Sequence, residues 1–222
     1  MATVYTVALL SGLFQALGYL IYIRKSLRKE VNPNATTWFM FAYGTATLTL
    51  LELATVGWDL KGNFLIFILP ITCAILSLRV ASICWSQGRL QWPEKKIERA
   101  ALLIDVALTI AYVIVWKLGN DGSITDDFRR TLTLWFLVLT NVSTVVAFTP
   151  ILKGTWEEPE SEHPLAWLIW CAAYCMLGYV TYSEYGIDSE LFIYPVSNAL
   201  LHGLVGLLSL RRSRSRSYFK RL

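Results

Sequence analysis

The sequence has little charge for its length and no polar stretch long enough to form a separate soluble domain. Only 16% of its 222 residues are Asp, Glu, Lys or Arg, while 55% are hydrophobic. Soluble domains carry about 25% charged residues. The composition therefore disfavours a water-soluble globular fold.

Motifs that carry covalent chemistry are also absent. The sequence contains no HExxH, no GxSxG and no paired carboxylates within its apolar runs. The four cysteines all lie inside apolar runs, where they predict neither a disulfide nor a metal site. The last apolar run contains no Lys, which excludes a retinal Schiff base. We expect no enzyme activity, no cofactor and no metal.

Long apolar runs are what the sequence has in abundance. A helix needs about 20 mostly apolar residues to cross about 30 Å of hydrocarbon. Seven runs satisfy this requirement, at about 4–23, 36–56, 63–85, 100–118, 131–152, 164–182 and 190–210. We predict an all-α integral membrane protein in which residues 1–222 form a single transmembrane domain. The first run has no basic segment before it, so we expect a retained helix rather than a cleaved signal.

Lys and Arg are distributed very unevenly between the connecting segments. With seven spans, fifteen of the twenty basic residues fall on the side of the first loop, third loop, fifth loop and tail, and four fall on the other side. Basic loops stay in the cytoplasm. The N-terminus is therefore expected outside and the basic tail, 211–222, in the cytoplasm. The tail is expected to bind anionic lipid headgroups rather than nucleic acid.

The two ends of the chain resemble each other. Tyr22-Ile-Arg-Lys25 at the end of helix 1 matches Pro150-Ile-Leu-Lys153 at the end of helix 5, and Trp38 matches Trp167. Cys73, which follows a proline in helix 3, matches Asn198 in helix 7. These pairs are 128, 129 and 125 residues apart. The pattern predicts two parallel three-helix repeats, at about 4–85 and 131–210, joined by a linker helix at about 100–118.

This plan, with an outside N-terminus and a basic tail, resembles the SWEET sugar transporters and the wider PQ-loop superfamily. Helix 2 carries Trp38 and Tyr43-Gly44 near a proline, and helix 7 carries Pro195, Asn198 and spaced glycines, as in that family. The resemblance implies a seven-helix transporter. The Pro-Gln pair of the PQ-loop group is absent, because Phe14 precedes Gln15, and Cys73 stands where SWEET proteins have a substrate-binding Asn.

Polar side chains in a membrane helix are costly unless they are paired or functional. Three amides lie at similar depth on different helices, and aromatic or imidazole groups lie near them. Amides offer donors and acceptors to a neutral polar solute, while polar residues can also tie helices together. The candidate substrate-binding residues are Gln15, Asn141, Asn198, His202, Tyr43, Trp170 and Tyr174.

Three charged residues inside the runs predict different roles. Arg79 and Asp105 lie at equal depth on consecutive helices, which predicts a structural ion pair that holds the linker helix on the first repeat. Glu52 lies near the outer end of helix 2, where we expect it to be solvated, a proton-coupling role being the alternative.

Two functions fit these patterns. The first is a carrier that moves a small neutral polar solute by alternating access at a midplane site between the repeats. The alternative is a membrane sensor, scaffold or partner-binding subunit that does not transport. The expected partners are membrane lipids and the solute, with no nucleic acid, and homo-oligomerisation is left open.

Overall fold

The computed structural model describes residues 2–31, 33, 35–56, 60–88 and 96–211. Within these ranges the chain is helical and has no β-strand. The long helices are α1 (Ala2–Leu27), α2 (Ala35–Val56), α3 (Leu60–Ser86), α4 (Lys96–Asn120), α5 (Asp126–Glu157), α6 (Pro164–Tyr185) and α7 (Ile193–Leu210). Short 3-10 helices at Pro159–Ser161 and Glu190–Phe192 precede α6 and α7. The basic tail beyond Arg211 and most of the third loop lie outside the described residues.

All seven predicted runs form helices that are long and apolar enough to cross a membrane. Large apolar side chains cover their outward faces, among them Leu13, Ile75 and Leu200, which are 64%, 61% and 70% exposed. Contiguous apolar surface of this kind is rare on soluble monomers. The seven helices therefore indicate an integral membrane protein.

Local sequence explains several helix ends. Thr125 caps α5, since its side chain accepts a hydrogen bond from the Phe128 amide at 3.3 Å, and two Asp residues occupy the first turn. Pro164 begins α6, at a position that needs no amide donor. Gly186 ends α6 with φ +83°, a conformation that glycine adopts without strain.

Two groups of three helices build the bundle, and we call α1–α3 the first triplet and α5–α7 the second. In each triplet the third helix packs against both of the others. Across the triplets, α1 packs against α6 and α2 packs against α5. The α4 helix packs mainly on α5 and has a small contact with α2.

The helices alternate in direction, so the bundle has two distinct ends. We call the end that holds the α1–α2, α3–α4 and α5–α6 connections the basic end, and the other the opposite end. Aromatic side chains from both triplets fill the core toward the basic end, and aliphatic side chains fill most of the core toward the opposite end. The interface between the triplets thus runs through the core from end to end.

Candidate functional site

Hydroxyl groups surround the thiol of Cys73 near the middle of α3. The Tyr19 hydroxyl lies 3.3 Å from Cys73 Sγ, and the Tyr174 hydroxyl donates to the same sulfur at 3.5 Å. Ser77, one turn along α3, is hydrogen-bonded to Tyr19, and Thr45 Oγ1 lies 3.8 Å from Cys73 Sγ. Residues of α1, α2, α3 and α6 therefore form one buried polar cluster at mid-depth.

Aromatic rings extend this cluster toward α7. The imidazole of His202 lies 4.8 Å from the ring of Tyr174 and 5.8 Å from that of Trp170, measured between centroids. Its Nδ1 is 2.8 Å from the Asn198 carbonyl oxygen one turn earlier, which fixes the ring against α7. Tyr174 also bonds the Tyr194 hydroxyl at 3.1 Å. Three of the predicted site residues, Trp170, Tyr174 and His202, are therefore brought together.

Two predicted amides are buried near the middle of their helices and have unused hydrogen-bonding atoms. Gln15, on α1, is fully buried, and neither atom of its side-chain amide has a partner among the described residues. Asn141, on α5, donates to the Leu137 carbonyl of its own helix at 2.9 Å, and its Oδ1 has no partner there. Buried polar atoms are normally satisfied by protein, water or ligand. These two amides therefore offer donors and acceptors to a polar molecule.

Two other predicted residues have different surroundings. Asn198 is buried, but its amide donates to the Tyr194 carbonyl oxygen of its own helix at 3.0 Å. Tyr43 is half-buried and donates to Thr109 Oγ1 of α4 at 2.8 Å, so it lies on the α4 side of α2. Tyr43 is therefore not brought to the cluster around Cys73 and His202.

The expected ion pair between Arg79 and Asp105 is not formed. Arg79 lies on an exposed face of α3. Asp105 is buried where α4 meets α2 and α5. Its carboxyl group faces α2, since its Oδ2 lies 3.6 Å from a Cβ built on Gly44 of that helix. The reason is topological, because α4 packs on α5 and α2, while α3 packs on α1 and α2. Glu52 also differs from the expectation, since it is only 4% exposed rather than solvated.

The interface between the triplets is closed at the basic end. Glu162, in the connection between α5 and α6, is 5% exposed and accepts hydrogen bonds from the Tyr22 hydroxyl at 3.1 Å and from Trp167 Nε1 at 2.8 Å. The rings of Trp38 and Trp167 lie 6.3 Å apart behind it. Burial raises the pKa of Glu162 from its ordinary value of 4.5 to about 7, against the lowering effect of the two hydrogen bonds.

At the opposite end, a cavity of about 510 Å³ opens where α2, α4 and α5 meet. Its lining includes Tyr112, Trp116 and Arg129, and Arg129 is paired with Asp126 at 2.9 Å. The two ends of the interface therefore differ, with a packed aromatic closure at one and a cavity with charged walls at the other.

Several residues of the cluster were not predicted from sequence. A Tyr, Ser or Thr in an apolar run is common, so its hydroxyl carries little signal alone. Helical periodicity does give a signal for two of them, because Tyr19 lies one turn after Gln15 and Ser77 lies one turn after Cys73. Glu162 was missed because it lies in a loop, where a carboxylate is ordinary. The missed residues are Tyr19, Thr45, Ser77, Tyr194 and Glu162, whereas Cys73 had been matched to Asn198 by the internal resemblance.

Comparisons of this chain with protein-family models, with curated proteins and with solved structures give no match.

Proposed function

We propose that the protein is a membrane carrier that moves a small neutral polar solute by alternating access between its two triplets. No covalent chemistry is involved. The solute binds at mid-depth against Gln15, Asn141, Trp170, Tyr174 and His202, and the two ends of the interface open in turn.

The unused amide atoms of Gln15 and Asn141 are the observation that carries this proposal. They are buried at mid-depth on the first helix of each triplet, where an unpartnered polar atom is costly. A neutral solute with hydroxyl or amide groups satisfies them without bringing a charge into the bundle. The nearby rings of Trp170 and Tyr174 provide flat apolar faces for the rest of the solute.

The packing supports a repeat of three, one and three helices. If the two triplets are related by a two-fold axis, α1 corresponds to α5 and α2 corresponds to α6. The contact between α1 and α6 then requires an equivalent contact between α5 and α2, and both contacts are present. Trp38 and Trp167, matched in sequence, also lie in contact. We take the triplets as parallel repeats and α4 as the linker, a plan that resembles the SWEET and PQ-loop proteins. In this assignment the basic end faces the cytoplasm and the N-terminus lies outside.

Flux in proteoliposomes tests the carrier directly. Purified protein is reconstituted and offered labelled sugars, neutral amino acids and other small metabolites. For any solute that is transported, Gln15→Leu and Asn141→Leu should each reduce flux at least about tenfold, which corresponds to the loss of one hydrogen bond worth about 1.4 kcal/mol. The apolar replacements should leave the melting temperature nearly unchanged, because the amides have few partners to lose.

Thr155→Val is the matched control for Asn141→Leu. Thr155 is buried on the same helix, but its hydroxyl donates to the Ile151 carbonyl oxygen at 2.7 Å and is therefore already hydrogen-bonded. This variant should transport normally. Normal flux in both amide variants would remove them from the site. Absence of flux for every solute in the panel would favour the non-transporting sensor or scaffold.

A further inference from the structure

The carboxyl group of Glu162 hydrogen-bonds to both triplets. Its two oxygens accept from Tyr22, near the end of α1, and from Trp167, in the first turn of α6. Both donors are fully buried. Separating α1 from α6 at the basic end requires at least one of these hydrogen bonds to break and brings the carboxyl group into water.

An open cavity at the basic end borders Glu162. A cavity of about 340 Å³ lies beside it, lined by Glu162, Gly154, Glu158 and neighbouring residues. No atom lies within 4 Å of a Cβ built on Gly154, so this side is open. We take this cavity as the path by which a proton from the solution at the basic end reaches Glu162 while the interface is closed.

Other ionisable groups face this region from the packed elements. Burial is the largest cause of the raised pKa of Glu162, followed by the hydrogen bonds from Trp167 and Tyr22, and no charged neighbour contributes to the shift. The titratable and charged groups on the surrounding elements are Tyr22, Arg24 and Lys25 on α1, Glu30 after it, Lys153 and Glu157 on α5, Glu158 after it, Glu160 in the 3-10 helix, His163 before α6 and Arg211 after α7.

We propose that Glu162 is a proton-binding site that controls opening of the basic end, the closed interface holding the neutral carboxyl and the open interface holding the carboxylate. In the neutral form one oxygen still accepts from Trp167 Nε1, and the protonated oxygen donates to the Tyr22 hydroxyl oxygen across the same contact. The proposal rests on the carrier function above and adds to it a proton-dependent gate. The direction follows from burial, since a carboxylate is better solvated once α1 and α6 have separated. Acid therefore favours the closed state and alkali favours the open state.

The difference in the pKa of Glu162 between the closed and open states limits how strongly pH can change the open-to-closed ratio. If opening returns the pKa of Glu162 from about 7 to its ordinary 4.5, the open-to-closed ratio rises by at most about 300-fold between low and high pH. The open-to-closed ratio changes between about pH 4.5 and about pH 7. The ratio is constant below the lower value and again above the higher one.

Pulsed EPR between spin labels at Leu27 and Leu165 measures this opening without any transport. Both side chains are more than half exposed, at the end of α1 and the start of α6. Cys171 and Cys175 are replaced by Ser, and the buried Cys73 and Cys84 remain. We expect the long-distance population to rise at least about tenfold relative to the short one from about pH 5.5 to about pH 8.5.

Glu162→Gln should keep the distance short at every pH. Tyr22→Phe is the matched control, because it removes one hydrogen bond and keeps the carboxyl, so its pH response should persist. If Glu162→Gln does not fold, infrared spectra give the same answer through a neutral-carboxyl carbonyl band that disappears across the same pH range and shifts in frequency in Tyr22→Phe, which assigns it to Glu162 rather than to the buried Glu52 or Asp105. A distance that does not change with pH in the wild type, or one that still changes in Glu162→Gln, would overturn the proposal.

The experiments test the carrier function and the proton-dependent gate independently. Flux that persists with a pH-independent distance overturns the gate and leaves the carrier. A pH-dependent distance with no flux for any solute overturns the carrier and leaves the proton-binding site at Glu162.

Discussion

At the scale of single residues, buried polar groups in this protein have two kinds of surroundings. Those around Cys73 hydrogen-bond to one another across helices, whereas Gln15, Asn141 and Asp105 keep atoms without partners among the described residues. Glu162 is intermediate, because each oxygen of its carboxyl group has a hydrogen-bond partner but the group is poorly solvated. The groups around Cys73 therefore stabilise the bundle through contacts between helices, whereas Gln15, Asn141 and Asp105 have hydrogen-bonding capacity that these contacts do not use.

Glu162 should make the stability of the folded protein depend on pH. Its pKa is raised to about 7 by burial, so between about pH 4.5 and pH 7 the folded chain holds a proton that the unfolded chain releases. The free energy of unfolding should fall as pH rises through this range, by on the order of 3 kcal/mol at most, and level off above it. Melting temperatures in detergent across this range measure it.

The same titration on Glu162→Gln provides the comparison. The variant cannot ionise, so the part of the pH dependence that belongs to this residue should vanish. Above about pH 7 the variant should be at least as stable as the wild type, because it avoids burying a charge. A variant that loses stability with pH as steeply as the wild type would assign the effect to another group.

The sequence allowed part of the site to be predicted, and the reason is depth. Residue position along a helix gives depth within the apolar run, so Gln15, Asn141 and His202 could be recognised as mid-depth groups. Position does not give the direction in which a side chain points. Tyr43 was therefore assigned to the site although it faces α4, and Arg79 was paired with a residue on a helix that packs elsewhere.

At the scale of helices, the contact of α1 with α6 depends on a glycine. A Cβ built on Gly18 lies 2.4 Å from Trp170 Nε1 and 2.9 Å from Cε2, far inside normal contact. The indole also donates to the Gln15 carbonyl oxygen at 3.2 Å. Because the ring is fully packed, it cannot move aside without disturbing its neighbours.

Gly18→Ala should therefore destabilise the protein. Overpacking costs about 1–3 kcal/mol, which exceeds the gain of up to about 1 kcal/mol from replacing glycine in a helix. Gly154→Ala is the control, since nothing lies within 4 Å of its added Cβ, and it should be neutral or stabilising. Thermal unfolding of the two variants under identical conditions compares them. Equal stability would show that Trp170 yields without cost.

Helix ends were less predictable than helix centres. The fifth run was expected at about 131–152, and α5 spans Asp126–Glu157. Hydropathy detects only the apolar middle, whereas the ends are set by capping and by backbone hydrogen bonds that polar residues also make. Thr125 and the two Asp residues after it form a helix start that the apolar pattern does not include.

At the scale of the whole molecule, the distribution of charge predicts the orientation in the membrane. Because basic residues crowd one end, a tag after Leu222 should lie in the cytoplasm and a tag before Met1 outside. Protease added to intact cells should remove the N-terminal tag and spare the C-terminal one. Lysed cells, in which both tags are cleaved, are the control. Loss of the C-terminal tag in intact cells would reverse the assignment.

The number of helices could be read from apolar runs, but their partners could not. Each run is local, whereas the α1–α6 and α2–α5 contacts join residues far apart in the chain. All seven runs are similarly apolar, so composition does not distinguish one neighbour from another. The exception is the matched pair Trp38 and Trp167, where an internal resemblance pointed to two positions that lie in contact.

The contact between α1 and α6 also has a consequence for biosynthesis. Trp170 is 155 residues beyond Gln15, the residue whose carbonyl oxygen it binds. At translation rates of about 5–20 residues per second, the ribosome needs about 8–30 s to reach Trp170 after Gln15 is made. During this interval the face of α1 that carries Gln15 and Gly18 has no native α6 to cover it. Nascent chains whose synthesis ends before α6 therefore leave this face of α1, with its polar Gln15 and its gap at Gly18, available to chaperones and to quality-control proteases.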